Sequence, residues 1–271
     1  MALGGLGQSS QAVNWFDRNQ DRDFMFSRGY DAYTARLENV PFYNGKKPLT
    51  NMMYLESGQK RYREEHFELV HSQNINPSTS ANVVYKARST MGRYDWQRTK
   101  NHALSVAVAH TGKRYSVHAA YMNNTITARE NGGVVGEWAI ADTTFEMPSG
   151  VPMRLAKAEA HNHYRNHALV LKQAFAIPLE RVTEYDFSIA DLSAVYVGHQ
   201  LEYNTWSKVY TDKKATYSNE RGEYDEETGK WVKVDGLEYY EDWFITPETT
   251  RDSISERLLS NKLFVQIQPW D

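Results

Sequence analysis

The chain has 271 residues, 31 Lys+Arg against 34 Asp+Glu, a formal net charge of −3 and a pI of about 6.3. That balance argues against a nucleic-acid partner, which calls for a basic patch or a high pI. A mean hydropathy of −0.68, with no apolar run near ~18 residues, excludes a transmembrane helix, and the absence of cysteine excludes disulfides, thiolate metal sites and a cysteine nucleophile.

The first residues, Met1 to Gln11, have no basic start and no long apolar run, so they are not an intact secretory signal. Residues 1–48 read as an N-terminal segment in which Phe24 to Tyr33 is an aromatic-rich candidate strand. Met52 to Ser57 and His66 to Ser72 are further candidates. Cleaner alternation begins with Val83, Tyr85 and Ala87. It continues with Leu104, Val106 and Val108, then Val117, Ala119 and Tyr121. Leu169, Leu171, Gln173, Phe175 and Ile177 form the next run. Val195 to Tyr203 and Leu263 to Ile267 follow. Strands send successive side chains to opposite faces, so each run has one apolar face and one small or polar face. The pattern predicts an all-β protein with few helices.

The connections are uneven. Asn76 to Thr79 and Thr111 to Arg114 are tight hairpin signals, whereas 89–102, 123–162 and 211–257 are long. The stretch 178–193 stands where a short turn is expected. Pro152 to Ala160 reads as a short helix and Tyr224 to Trp231 as an exposed hairpin tip. An antiparallel sheet with short turns at one end and long loops at the other describes an up-and-down transmembrane β-barrel or partial barrel, a single domain over 1–271. Soluble barrels and sandwiches share the alternation. Charges opposite the apolar faces (Lys86, Arg88, Lys172, Glu202) favour a wet lumen over a packed interior. So does the placement of Tyr94, Trp96, Tyr115, Tyr121, Trp206, Tyr210 and Trp270 near strand ends, where aromatic girdles belong.

The stretch Asn51 to Phe67 (NMMYLESGQKRYREEHF) resembles the putative-porin family of Gram-negative outer-membrane β-barrels. So do Tyr94–Trp96, Lys100–His102, His110–Tyr115, Glu130–Gly136, Asp142–Pro152, Gly198–His199, Glu202–Tyr203 and Gln268–Trp270, and the likeness runs over nearly the whole chain. The resemblance implies an outer-membrane location and a channel or transport role. It brings no catalytic or binding residues. Family members are longer and carry a signal peptide, so the chain reads as an N-proximal fragment or truncated product. Its sheet is to be closed by further strands or a partner chain.

The expected function is passive diffusion of small polar solutes, with a lumen lined by Lys86, Arg88, Lys172, Gln200 and Glu202, no enzyme activity and no cofactor. The alternatives are a non-conducting outer-membrane scaffold, whose loops bind carbohydrate or a partner protein, and a soluble all-β ligand-binding protein. The last requires Leu104, Val106, Leu169 and Leu171 to be buried by protein. No metal site is expected. His161, His163 and His167 are the nearest candidates, but no carboxylate accompanies them, and a histidine-rich strand entrance at an aqueous interface explains them. Asp17 to Asp23 imitates the start of a calcium loop but has Arg22 at the glycine position and Arg28 at the closing position. The acidic cluster Glu223, Asp225, Glu226 and Glu227 reads as a solvated loop tip. The acidic, aromatic run 238–244 is a candidate ligand or partner contact.

Overall fold

The computed structural model describes residues 7–10, 12–17, 24–59, 62–134, 150–151, 153, 155, 160–178, 194–212, 216–217, 223–225, 227, 230–232, 237–238 and 250–268. Among the described residues there are twelve strands, the longer ones built on alternating apolar and polar residues. They are β1 (Leu49–Ser57), β2 (Glu64–Asn76), β3 (Thr79–Thr90), β4 (Thr99–Thr111), β5 (Tyr115–Arg129), β6 (His161–Pro178), β7 (Ala194–Asp212), β8 (Thr216–Tyr217), β9 (Glu223–Asp225), β10 (Lys230–Val232), β11 (Leu237–Glu238) and β12 (Thr250–Gln268). One eight-stranded sheet has the order β1-β2-β3-β4-β5-β6-β7-β12, every neighbouring pair antiparallel. This is up-and-down topology, and the sheet is open: β1 and β12 are its two edges. β9 pairs with β10, the predicted hairpin tip, and β8 pairs with β11.

The hairpin ends are sorted as the turn chemistry requires. Residues 77–78 and 112–114 close tight turns at one end, and 91–98, 130–160 and 213–249 leave from the other. The strands outrun their apolar cores. β5 continues to Arg129 and β12 begins at Thr250, so the loops expected over 123–162 and 211–257 shorten to 130–160 and 213–249. The connection 179–193 and most of the acidic, aromatic run 238–244 lie outside the described residues.

The N-terminal segment departs from expectation. Phe24 to Tyr33 is no strand: Met25–Tyr30 forms a 3-10 helix, and Leu37–Asn39 forms another. Phe24, Phe26 and Tyr30 share a parity that would also suit a strand, but two 3-10 turns of three residues each likewise aim Phe24 and Tyr30 at one surface. That surface is a face of the sheet, and the core lies between them. Phe24 and Tyr30 bury with Ile126, Tyr164 and Trp206; Val40 buries with Ala107 and Ala120, backed by Val170. The expected helix over 152–160 lies largely outside the described residues. Of the residues described there, Met153 bridges Val134 and the Leu155 N–H donates to Asn131 O at 2.9 Å, neither of them a helical contact.

Candidate functional site: an occupied inner face and a banded outer face

Register divides each strand between two faces. The face beneath the N-terminal segment carries Glu68, Val70 and Ser72 of β2, which lie opposite Lys86, Val84 and Asn82 of β3. Across β5, β6 and β7 it carries the rows Asn124–Asn166–Trp206 and Met122–Ala168–Asn204. All five residues expected to line a lumen, Lys86, Arg88, Lys172, Gln200 and Glu202, have this inward parity.

The segment is fixed to this face by polar as well as apolar contacts. Asn124 grips the backbone of Ala35 from both sides: its Nδ2 donates to Ala35 O at 2.9 Å, and its Oδ1 accepts from Ala35 N–H at 2.8 Å. The amide chain continues, with Asn124 Nδ2 donating to Asn166 Oδ1 at 3.0 Å and Asn166 Nδ2 donating to Asn204 Oδ1 at 2.6 Å. An amide has two donor and two acceptor directions, so such a ladder can satisfy itself and still hold a backbone. Phe24 stacks on Trp206 with ring centroids 6.2 Å apart. Arg88 stands over the Tyr33 ring, 5.5 Å from its centroid. Phe42 meets His118 edge-on at 5.1 Å. Tyr30 is buried, and that burial, reinforced by the Glu130 carboxylate, pushes its phenol up to about 12.

The segment divides the inner space. On one side, a cavity of about 360 Å³ is lined by Tyr33, Glu68, Lys86 and Arg88. Glu68 pairs with Lys86 at 3.0 Å and approaches His66 at 3.7 Å, so its charge is shared. On the other, a cavity of about 460 Å³ is lined by Phe42, His118, Lys172, Tyr196, Gln200 and Phe264. Here Lys172 Nζ lies 5.4 Å from the centre of the Phe264 ring. That ring covers Gly198, its cross-strand partner, so closely that a Cβ there would overlap it. Glu202 lines a third, smaller space with Phe24, Asp31, Arg36 and Trp206, next to the Arg36–Asp31 ion pair at 3.1 Å.

The opposite face is banded. On β6, Leu169, Leu171, Phe175 and Ile177 face outward, interrupted by Gln173; on β7, Val195, Val197, Leu201 and Tyr203 do so, interrupted by His199. Leu104 and Val106 share this outer face, so the protein does not bury them beneath its N-terminal segment, and Leu169 is 44% exposed. From Leu169 to Ile177 the band is about 27 Å long at 3.4 Å per residue, or about 21 Å tall for a strand tilted ~40°. Register lifts the band toward β1, as tilted strands demand: Met52 and Tyr54 pair with Leu69 and Phe67, and Val83 pairs with Val106.

Of the aromatic residues expected at the margin, Tyr115 and Tyr121 face outward, Tyr115 at the short-turn end. Trp206 and Tyr210 face inward, Tyr94 packs against Val151 and Met153, and Trp96 lies under Arg129 at 4.3 Å. Trp270 lies outside the described residues. Proximity to a strand end says nothing about parity, and parity decides the face. Toward the long loops the expected Tyr121 is joined on the outward margin by Tyr54, Phe67, Tyr85 and Tyr203. Two of these hydroxyls reach histidines: Tyr85 Oη lies 2.9 Å from His102 Nδ1, and Tyr121 Oη lies 3.0 Å from His167 Nδ1.

His161, His163 and His167 all lie on the outward face of β6. His163 Nδ1 is 2.9 Å from Thr127 Oγ1, and among the described residues no group of three or more metal-ligating side chains converges. The calcium-like stretch 17–23 is largely outside the described residues. What sequence reading missed is the receiving surface for the N-terminal segment. Its one legible trace is that Asn82, Asn101, Asn124, Asn166 and Asn204 all fall on the inward parity of their strands.

Comparison with known proteins gives one informative result: the family profile described as "putative porin" matches residues 1–270. No significant match was found among curated proteins or solved structures. An open up-and-down sheet with a lipid-like band on one face and a charged, occupied inner face thus meets a whole-length family match, and the chain belongs to the putative-porin family.

Proposed function

We propose that this is an outer-membrane channel that passes small polar solutes by passive diffusion, its lumen narrowed by the protein's own N-terminal segment. The observation that carries the reading is the sorting of the sheet: aliphatic and tyrosine side chains on one face, and Lys86, Arg88, Lys172, Gln200 and Glu202 on the other. In a bilayer the first face meets lipid and the second water. Selection then comes from width and from the field of the lining charges, with no bond made or broken. Unpaired edge N–H and C=O groups cost several kcal/mol each in hydrocarbon. The edges β1 and β12 are therefore paired in the membrane by further strands, from this polypeptide or a second one.

The docked segment also supports a second reading, a plugged scaffold whose long loops bind a carbohydrate or a partner protein. Planar-bilayer recording of the full-length protein separates the two. Stepwise conductance supports the channel. A folded barrel that stays silent, yet conducts when Phe24→Ala and Asn124→Ala loosen the segment, supports the plug. Silence in both sinks the transport role.

A further inference from the structure

The cavity of about 360 Å³ is a composite, with its floor on the sheet and its roof on the N-terminal segment. The floor is two cross-strand rows, Glu68–Lys86–Ala103 and Val70–Val84–Ser105, whose small members leave the hollow. The roof is the chain from Ala32 to Arg36 and from Asn39 to Pro41. It is pinned where Asn124 holds both backbone groups of Ala35. Three cations and one carboxylate, Glu68, belong to the lining. Lys86 lies 3.0 Å from Glu68, and Arg36 pairs with Asp31 at 3.1 Å. Arg88 is the cation left over. Half-buried, it stands over the Tyr33 ring and donates to Tyr33 O at 3.5 Å, and no carboxylate pairs with it among the described residues. A charge drawn partly out of water without a counter-ion is costly, and a bound anion offsets that cost.

We propose that this cavity binds a sugar acid, a hydroxylated monocarboxylate, and that the bound molecule ties the N-terminal segment to the sheet. The inference rests on the channel reading, which brings such solutes into the lumen. One unmatched cation selects one negative charge, and the planar fork of Arg88 suits a carboxylate bidentately. Lys86, the next inward position at about 7 Å along β3, keeps Glu68 from repelling the anion. The space is larger than a carboxylate alone fills and falls within the range of small-molecule sites, ~300–1,000 Å³. Val70 and Val84 make an apolar bed for the carbon face of a ring, and Ser105, Asn39 and Tyr43 carry partners for its hydroxyls. Arg88, Lys86 and Ser105 belong to the sheet, whereas Asn39 and Tyr43 belong to the segment. A ligand held by both binds the docked state and not the released one, so it favours docking by mass action. The solute thus steadies the constriction that it passes.

The test follows proteolytic cleavage between Asp31 and Val40 in the full-length protein, folded in detergent, while glucuronate is titrated at constant ionic strength. Glucose, which lacks the charge, and acetate, which lacks the ring, serve as controls. Cleavage is expected to slow with glucuronate, by about tenfold at ten times the dissociation constant, and to stay unchanged with either control. Arg88→Gln should remove the protection, and Arg88→Lys, which keeps the charge without the fork, should restore part of it. Lys113→Gln, in a remote turn, should keep all of it. Each variant is compared with itself with and without ligand, so a looser segment in Arg88→Gln does not obscure the result. Equal protection by glucose or acetate, protection that survives Arg88→Gln, or no protection by glucuronate at any concentration overturns this inference. Bilayer recording of the same preparation keeps the two readings apart. Current without protection sinks the site and leaves the channel, whereas protection in a protein that carries no current supports the site and sinks the transport role.

Discussion

A single asparagine does much of the positioning inside this protein. Asn124 satisfies both the N–H and the C=O of Ala35 and passes its remaining donor capacity to Asn166. Asn124→Ala removes all of this and leaves buried amide groups unpaired, a cost of about 1–3 kcal/mol. The expected outcome is a folded sheet with a loosened N-terminal segment, read as faster proteolytic cleavage between Asp31 and Val40 with circular dichroism unchanged. Tyr30 offers a second handle. Its folded-state phenol is raised to about 12 from an ordinary 10.0, so the neutral form is the one that docks. Its contribution is complete below pH 10, declines as pH rises from 10, where the undocked phenol already ionises, and is exhausted near pH 12. The loss amounts to roughly 2–3 kcal/mol at ~1.4 kcal/mol per pH unit. Alkaline titration should therefore release the segment in that window, seen as late phenolate absorbance, and Tyr30→Phe should abolish that component. The inward asparagines were legible as parity and nothing more. A polar residue on a strand shows which face it occupies and not what docks against it.

At the level of elements, the strands were legible only where lipid-like burial imposes alternation. β6 was readable from Leu169 onward, yet it begins at His161, and β12 was readable from Leu263, yet it begins at Thr250. The missing halves (His161 to Ala168, Asn204 to Asp212, Thr250 to Lys262) carry polar or charged residues on the outward face except at Val209 and Leu259, so the period of two has too sparse an apolar signal to ride on. Those halves are held by backbone pairing and by packing on the inner face. A membrane strand needs ~9–11 residues, whereas β6, β7 and β12 have 18, 19 and 19. The surplus of each projects past the band on the long-loop side. Nitroxide labels test this directly: at Leu169 and Phe175 a label should be reached by oxygen dissolved in lipid, and at Arg165 by a water-soluble relaxant. The reverse order at Arg165 would place the whole strand in the bilayer. The N-terminal segment failed as a predicted strand for a different reason. Its shape is dictated by a surface made of residues far along the chain, which local periodicity does not encode.

For the molecule as a whole, the two faces divide the labour that a soluble β-sandwich would assign to one shared core. Among the described residues, fully buried side chains sit under the N-terminal segment, such as Ile126 and Asn124, or beside Tyr210, as Leu155 does, while large aliphatic residues on β12 such as Leu259, Leu263, Val265 and Ile267 are mostly exposed. Mean hydropathy therefore misleads for this architecture. Long polar strand extensions and loops lower the average while every second residue in the band stays apolar. Fold class and hairpin polarity could be read from sequence, because each follows from parity and turn length. The occupied interior could not. It has a consequence for assembly as well. Ala35 waits for Asn124, 89 residues later, and Phe24 waits for Trp206 on a strand formed later still. The N-terminal segment thus has no surface to settle on until β5, β6 and β7 stand side by side. The sheet therefore has to form first, and the segment that fills its inner face settles last.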